Sequence, residues 1–164
     1  MALESLLREY DNEMRGTRRM LECIPTDRYT WRPHPKSFTI GDLAAHIVDS
    51  VDWVDHIFAH EEFDFDPRTY PTSQGASLDK LLARFDAQVV AGHATIKALN
   101  EGALHSLWRL KVLGKVHVER TKIDAIRDFT FSHIIHHRGQ LSVYLRLLDV
   151  PVPGVYGPSA DDQS

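Results

Sequence analysis

Residues 121–149, TKIDAIRDFTFSHIIHHRGQLSVYLRLLD, decide how the rest of the chain is read. Apolar side chains recur there every three or four residues, the period of a helix with one buried face. Thr121 with Asp124 has the spacing of a capping box, with Asp in place of the usual Glu or Gln. Pro151 and Pro153 stop the helix, because a proline ring clashes with the preceding turn and brings no amide proton. At about 100° per residue, His133 and His137 lie about 40° apart, and Ile126, Thr130, Tyr144 and Leu148 share their stripe. Two imidazoles therefore stand on the face expected to carry apolar groups.

Three further helices follow from the same period. Residues 3–24 align Leu3, Leu7, Tyr10, Met14, Leu21 and Ile24, and Pro25 closes the run. Residues 39–60 open on Thr39 as N-cap with Asp42 in the first turn, and align Leu43, Ala44, Ile47, Trp53, Val54 and Ile57. Residues 78–99 follow an N-cap at Ser77 and align Leu78, Leu81, Leu82, Phe85, Val89, Ile96 and Leu99. The proline-rich stretch 25–37 is irregular or extended. Residues 61–76 are acidic, then rich in Pro, Ser and Gly, and such a long connection is usually functional or a crossover. Residues 106–119 alternate and turn at Leu113-Gly114-Lys115, the pattern of a short β-hairpin. The tail 154–164 is expected as a surface strap with a frayed end. The expectation is one all-α domain over 1–164. It is a four-helix bundle with a long crossover between helices two and three and a short β-hairpin before helix four.

Composition narrows the function classes. A chain of 164 residues, 43% hydrophobic and 26% charged, can bury a core without staples. Its single cysteine, Cys23, excludes an internal disulfide and a cysteine-based zinc finger, and is expected to be buried and inert. Few cysteines suit a cytoplasmic setting. A net charge of −4 at pH 7 offers no electrostatic footprint for nucleic acid. No apolar run approaches the ~20 residues of a membrane span, and the acids in MALESLLREYDNEM do not read as a signal peptide.

Ten histidines remain to be placed. On the second helix, Trp53, Ile57, Ser50 and Leu43 fall within about 60° of His46, so His46 also faces inward. Burying a polar ring without a partner costs about 1–3 kcal/mol, and three protonated rings would repel one another. A divalent cation resolves both problems, since neutral imidazole is its commonest ligand and an i, i+4 pair lets two rings reach one ion. Three protein ligands leave a coordination position open, as in catalytic sites. The competing reading is three separately hydrogen-bonded core histidines. His136 lies at the stripe's edge, where it replaces a ligand, donates to a carboxylate or sits in solvent. His56 and His60 read as solvated or as neighbours of the ligands, and His34, His93, His105 and His117 as surface or loop residues. Ile134 stands where a metalloprotease H-E-x-x-H motif needs its glutamate, which disfavours a protease.

The run from His133 to Leu141, with its H-x-x-x-H-R-G-Q pattern, resembles the helix-four signature of the DinB-like family. Thr39-Ile-Gly-Asp-Leu-Ala-Ala-His46 is similar to the family's helix-two block, and Val152-Pro-Gly-Val-Tyr-Gly-Pro-Ser159 to a common family ending. The resemblance covers nearly the whole chain in order. It implies a bundle crossing over between helices two and three, with a divalent metal held by His46, His133 and His137, the trio already picked out by helical phase. It also implies a homodimer. Some relatives are thiol-dependent transferases or isomerases using bacterial low-molecular-weight thiols, and others are described as metal-dependent hydrolases.

Neighbouring residues have two readings each. Arg138 neutralises a buried carboxylate or binds an anionic substrate group, or makes a surface or helix-to-loop ion pair. Gly139, which costs about 1 kcal/mol mid-helix relative to Ala, admits a close neighbour beside the metal or serves plain packing. Gln140 points inward, within reach of a ligand ring or bound water. Asp49 orients an imidazole or takes a proton, or lies with Asp52 and Asp55 on a solvated acidic face. Trp53 and Tyr144 read as core rather than as a substrate platform. The function expected is that of a metal-dependent enzyme using zinc, nickel or iron to activate water or a small thiol against a small electrophilic molecule. A non-catalytic metal-binding, stress-response or dimerisation module is the alternative.

Overall fold

The computed structural model describes residues 2–163; the frayed end expected at Ser164 lies outside them. The first helix, α1 (Ala2–Glu22), buries Leu6, Tyr10, Met14, Met20 and Leu21 on one stripe. The second rod is broken in two. It runs through α2 (Ile40–Asp49), a 3₁₀ turn (Ser50–Asp52) and α3 (Trp53–Phe58). Thr39 caps it, its hydroxyl accepting from the Asp42 amide at 3.1 Å and donating to the Asp42 carboxylate at 2.7 Å. The break follows Ser50, whose hydroxyl donates to the His46 carbonyl at 2.7 Å, a back-bond that bends helices.

The third rod, α4 (Leu78–Lys97), buries Leu78, Leu81, Phe85 and Ile96, and Ser77 sits at its N-cap without a side-chain bond. A single turn, α5 (Glu101–Leu104), is capped by Asn100. The last rod runs through α6 (Lys122–Ile126), a π-helical turn (Arg127–Ser132) and α7 (His133–Leu147), so the expected single helix over 121–149 is interrupted. α1 packs against α4 and α7, and α2 packs against the same two, which places α1 and α2 across a diagonal.

The all-α expectation is corrected: the fold is mostly helical and carries a three-stranded sheet in the order β1 (Glu62–Phe65), β2 (Leu107–Val112), β3 (Lys115–Thr121). β2 and β3 form the expected hairpin, turning at Leu113 and Gly114 with φ of 51° and 79°. Two successive positive φ angles match the twist of paired strands. β1 lies parallel to β2 and comes from the stretch 61–76, read as a long connection without a strand. Its alternation of exposed Glu62 and Asp64 with half-buried Phe63 and Phe65 is only four residues long, too short to stand out from an acidic loop. Trp108 of β2 is wholly buried and its indole N–H donates to the His56 carbonyl at 3.0 Å, seating the sheet on the end of α3. Among the described residues no helix is long and apolar enough to cross a membrane.

Candidate metal centre

His46 stands on α2, His133 opens α7, and His137 follows one turn later. Packing α2 on α7 brings the three rings together, with centroids 4.9 Å (46–133), 4.5 Å (46–137) and 4.7 Å (133–137) apart. One nitrogen from each lies within 4.8 Å of the others, and all three residues are half-buried. The Nε2 atoms of His46 and His133 are 2.9 Å apart.

The electrostatics suit a cation. Burial, and then the fields of His137, His46 and His136, push His133 down to about 4. Burial also lowers His46 and His137, against smaller upward pulls from Asp49 and the Gln140 hydrogen bond respectively. All three rings are therefore neutral near pH 7, the form that offers a lone pair. At His137 the tautomer follows from its neighbour: Nδ1 donates to the Gln140 carbonyl oxygen at 2.8 Å, leaving Nε2 as the free donor atom. His136 is exposed; its Nε2 meets the Gln140 amide nitrogen at 3.1 Å and its ring lies edge-on to His137 at 4.9 Å, so it borders the cluster without joining it. Two neutral rings whose Nε2 atoms touch must share one proton between them; an ion would take both lone pairs instead. Three uncharged nitrogen donors with no carboxylate among them fit zinc, nickel or ferrous iron.

Two walls complete the surroundings. Phe38 lies over the cluster, its ring 5.5 Å from His46 and 6.5 Å from His137. The residue before an N-cap ordinarily staples onto the helix's first turn, so sequence offered no sign of this placement. On another side is a cavity of about 250 Å³ whose wall includes His46, His133, Asp49, Trp53, Phe65 and Tyr70.

Several residues sit differently from their sequence readings. Asp49 orients no imidazole: its carboxylate accepts from the Ser73 amide at 2.8 Å and the Ser73 hydroxyl at 2.5 Å, tying the connection after β1 to α2. His56 is not solvated; its ring stacks on Phe63 at 4.0 Å and its Nε2 meets the Tyr70 hydroxyl at 3.2 Å. Arg138 turns away from the imidazoles. It is 3% exposed and donates to the Glu13 carboxylate at 2.7 Å, the Glu13 carbonyl at 3.0 Å, Thr17 at 3.1 Å and Tyr156 at 2.5 Å. Of its readings, neutralising a buried carboxylate is the one the structure supports. A Cβ on Gly139 would meet nothing within 4 Å, so neither reading of that glycine holds and nothing in the structure explains it. Trp53 is half-buried and faces the cavity, Tyr144 is core, and Cys23 is half-buried rather than buried. His60, His34, His105 and His117 are exposed, and His93 is half-buried beside Asp11.

Known proteins share this architecture. The DinB superfamily matches residues 9–141. The Bacillus subtilis (strain 168) protein YrdA is 24% identical over 98% of this chain and 91% of its own length. A DinB-like protein from Bacillus cereus ATCC 10987 superposes with a TM-score of 0.73 at 20% identity, covering 93% of this chain and 97% of that one. The DinB-like protein YjoA from Bacillus subtilis superposes with a TM-score of 0.69 at 20% identity, covering 90% of this chain and 96% of its own.

Proposed function

The chain belongs to the DinB superfamily, and from that membership and its three converging imidazoles we propose a metal-dependent enzyme that holds one divalent cation on His46, His133 and His137. In this reading the four rods are a four-helix bundle with its crossover between the second and third, and the protein is cytoplasmic. Its partners are a small electrophilic substrate and a second copy of the chain, with neither nucleic acid nor membrane. Ile135, Val143 and Leu147 leave an apolar outer edge on α7 for that second copy.

A bound divalent ion supplies Lewis acidity, lowering the pKa of a water or low-molecular-weight thiol at its open position. The chain's own residues do the rest. Gln140 holds the His137 ring with Nε2 forward. Phe38 keeps water from one side of the cluster, and the cavity admits a substrate from the other. The reaction class is attack of the activated thiol or water, its proton passing to solvent, on an electrophilic carbon that releases its leaving group.

The observation that carries the reading is the gathering of three neutral nitrogen donors within 4.8 Å beside a cavity of substrate size. Elemental analysis of freshly purified protein, repeated on His137→Ala, tests it. One equivalent of a divalent metal in the parent and none in a folded variant is expected. Protein that carries no metal and binds none on titration with zinc, nickel or ferrous iron refutes it. Metal that protects the fold, with no thiol-conjugating or hydrolytic activity on an electrophile panel, would favour the non-catalytic module.

A further inference from the structure

The cavity beside the imidazoles has a chemistry of its own. Trp53 from α3, and Phe65 and Tyr70 from the connection that follows it, supply ring surface. The Trp53 indole is held from behind: it stacks on Phe129 at 5.3 Å and meets Phe63 and Trp108 edge-on at 5.6 Å and 6.3 Å. The Phe65 and Tyr70 rings pack together at 5.1 Å, and the Tyr70 hydroxyl is anchored on His56. A wall fixed in this way accepts a flat apolar guest with little loss of side-chain freedom.

Charge sets the second condition. Among the described residues no lysine or arginine lines the cavity, and the one formal charge is the Asp49 carboxylate. The Arg84 guanidinium is paired with Asp52 at 2.6 Å and stands 3.6 Å from Asp49. With the imidazoles metal-free, an anionic guest would give up its hydration beside a buried negative charge with no free lysine or arginine to receive it. Size sets the third. A cavity of about 150 Å³ holds benzene, so 250 Å³ takes a substituted single ring or a fused pair.

We propose that this cavity is a binding site for a neutral aromatic molecule of one or two rings, seated against the ring surface of Trp53, Phe65 and Tyr70 with its reactive edge toward His46 and His133. As a substrate site it rests on the metal-centre reading; as a ligand site it stands on the cavity alone.

Equilibrium dialysis with 1-naphthol and 1-naphthoate, which share the naphthalene ring and differ in charge, tests it at pH 7 on chelator-treated protein. Saturable binding of one 1-naphthol per chain, at least tenfold tighter than 1-naphthoate, is expected. Trp53→Leu and Phe65→Ala should each weaken 1-naphthol at least tenfold, the second leaving the packed cluster behind Trp53 in place. Asp49→Asn should narrow the gap between the two probes. His137→Ala, which removes a proposed ligand outside the cavity wall, should keep 1-naphthol binding. No saturable binding, equal binding of 1-naphthoate, or wild-type affinity in both ring variants overturns the proposal. Metal binding without naphthol binding sinks the cavity assignment and leaves the metal centre standing; naphthol binding without metal binding does the reverse.

Discussion

Arg138→Met should unfold this protein more readily than any change at the imidazoles. The guanidinium makes four hydrogen bonds, two to Glu13 and one each to Thr17 and Tyr156, and the Arg138 and Glu13 side chains are 4% and 9% exposed. Methionine keeps much of the stem's volume and removes the charge. Glu13 would then remain as a buried carboxylate whose one surviving hydrogen bond in this cluster comes from the Tyr156 hydroxyl, at 2.8 Å. Breaking a buried pair by removing one partner costs about 3–5 kcal/mol, because the other charge stays desolvated. For a chain of this length each kcal/mol moves Tm by roughly 2–4 °C, so a drop of roughly 6–20 °C is expected. Thermal unfolding followed by far-UV circular dichroism on chelated protein measures it free of any metal contribution. Glu13→Gln on the Arg138→Met background should recover part of the loss by removing the orphaned charge. A Tm within about 3 °C of the parent, or no recovery in the double variant, would refute the account of Arg138 as the partner of a buried carboxylate.

Other expectations follow from the same contacts. Gln140→Leu, which frees His137 Nδ1, should weaken zinc binding about tenfold or more by calorimetry while leaving the stoichiometry at one. The metal-free protein should lose stability as pH falls from 6.5 toward 4. The folded-state pKa of His133 is depressed from 6.5 to about 4, so across that window the unfolded chain takes up a proton that the folded ring refuses. His46 and His137, also lowered, act in the same direction, and urea midpoints at pH 7 and pH 5 on chelated protein measure the sum. Thr39→Ala should cost about 1 kcal/mol in a urea melt. Thr121→Ala should cost less, since its hydroxyl meets the Asp124 amide at 3.4 Å against 3.1 Å for Thr39 and Asp42.

Periodicity carried the helical rods and their inward faces, because whether a side chain points in or out along a helix depends on its neighbours in sequence. Thr39 and Thr121 announced two helix starts for the same reason. His133 and His137 are one turn apart on continuous helix, so their shared direction was readable from spacing. The 3₁₀ turn after His46 and the π turn before His133 were not readable, since a local back-bond and packing of the rods decide them. β1 was missed because a four-residue strand gains its meaning only from pairing with β2, more than forty residues away.

The linear order of residues therefore determined the main helical rods, the charge class and the inward direction of His46, His133 and His137. Tertiary packing decided the rest. It moved Asp49 to Ser73, Arg138 to Glu13 and His56 to Tyr70, each across a separation that no local period spans. It also laid Phe38 over the imidazoles and closed Trp53, Phe65 and Tyr70 around a cavity. Side-chain direction is a property of one helix, whereas a partner or a cavity exists only once two or more elements have docked.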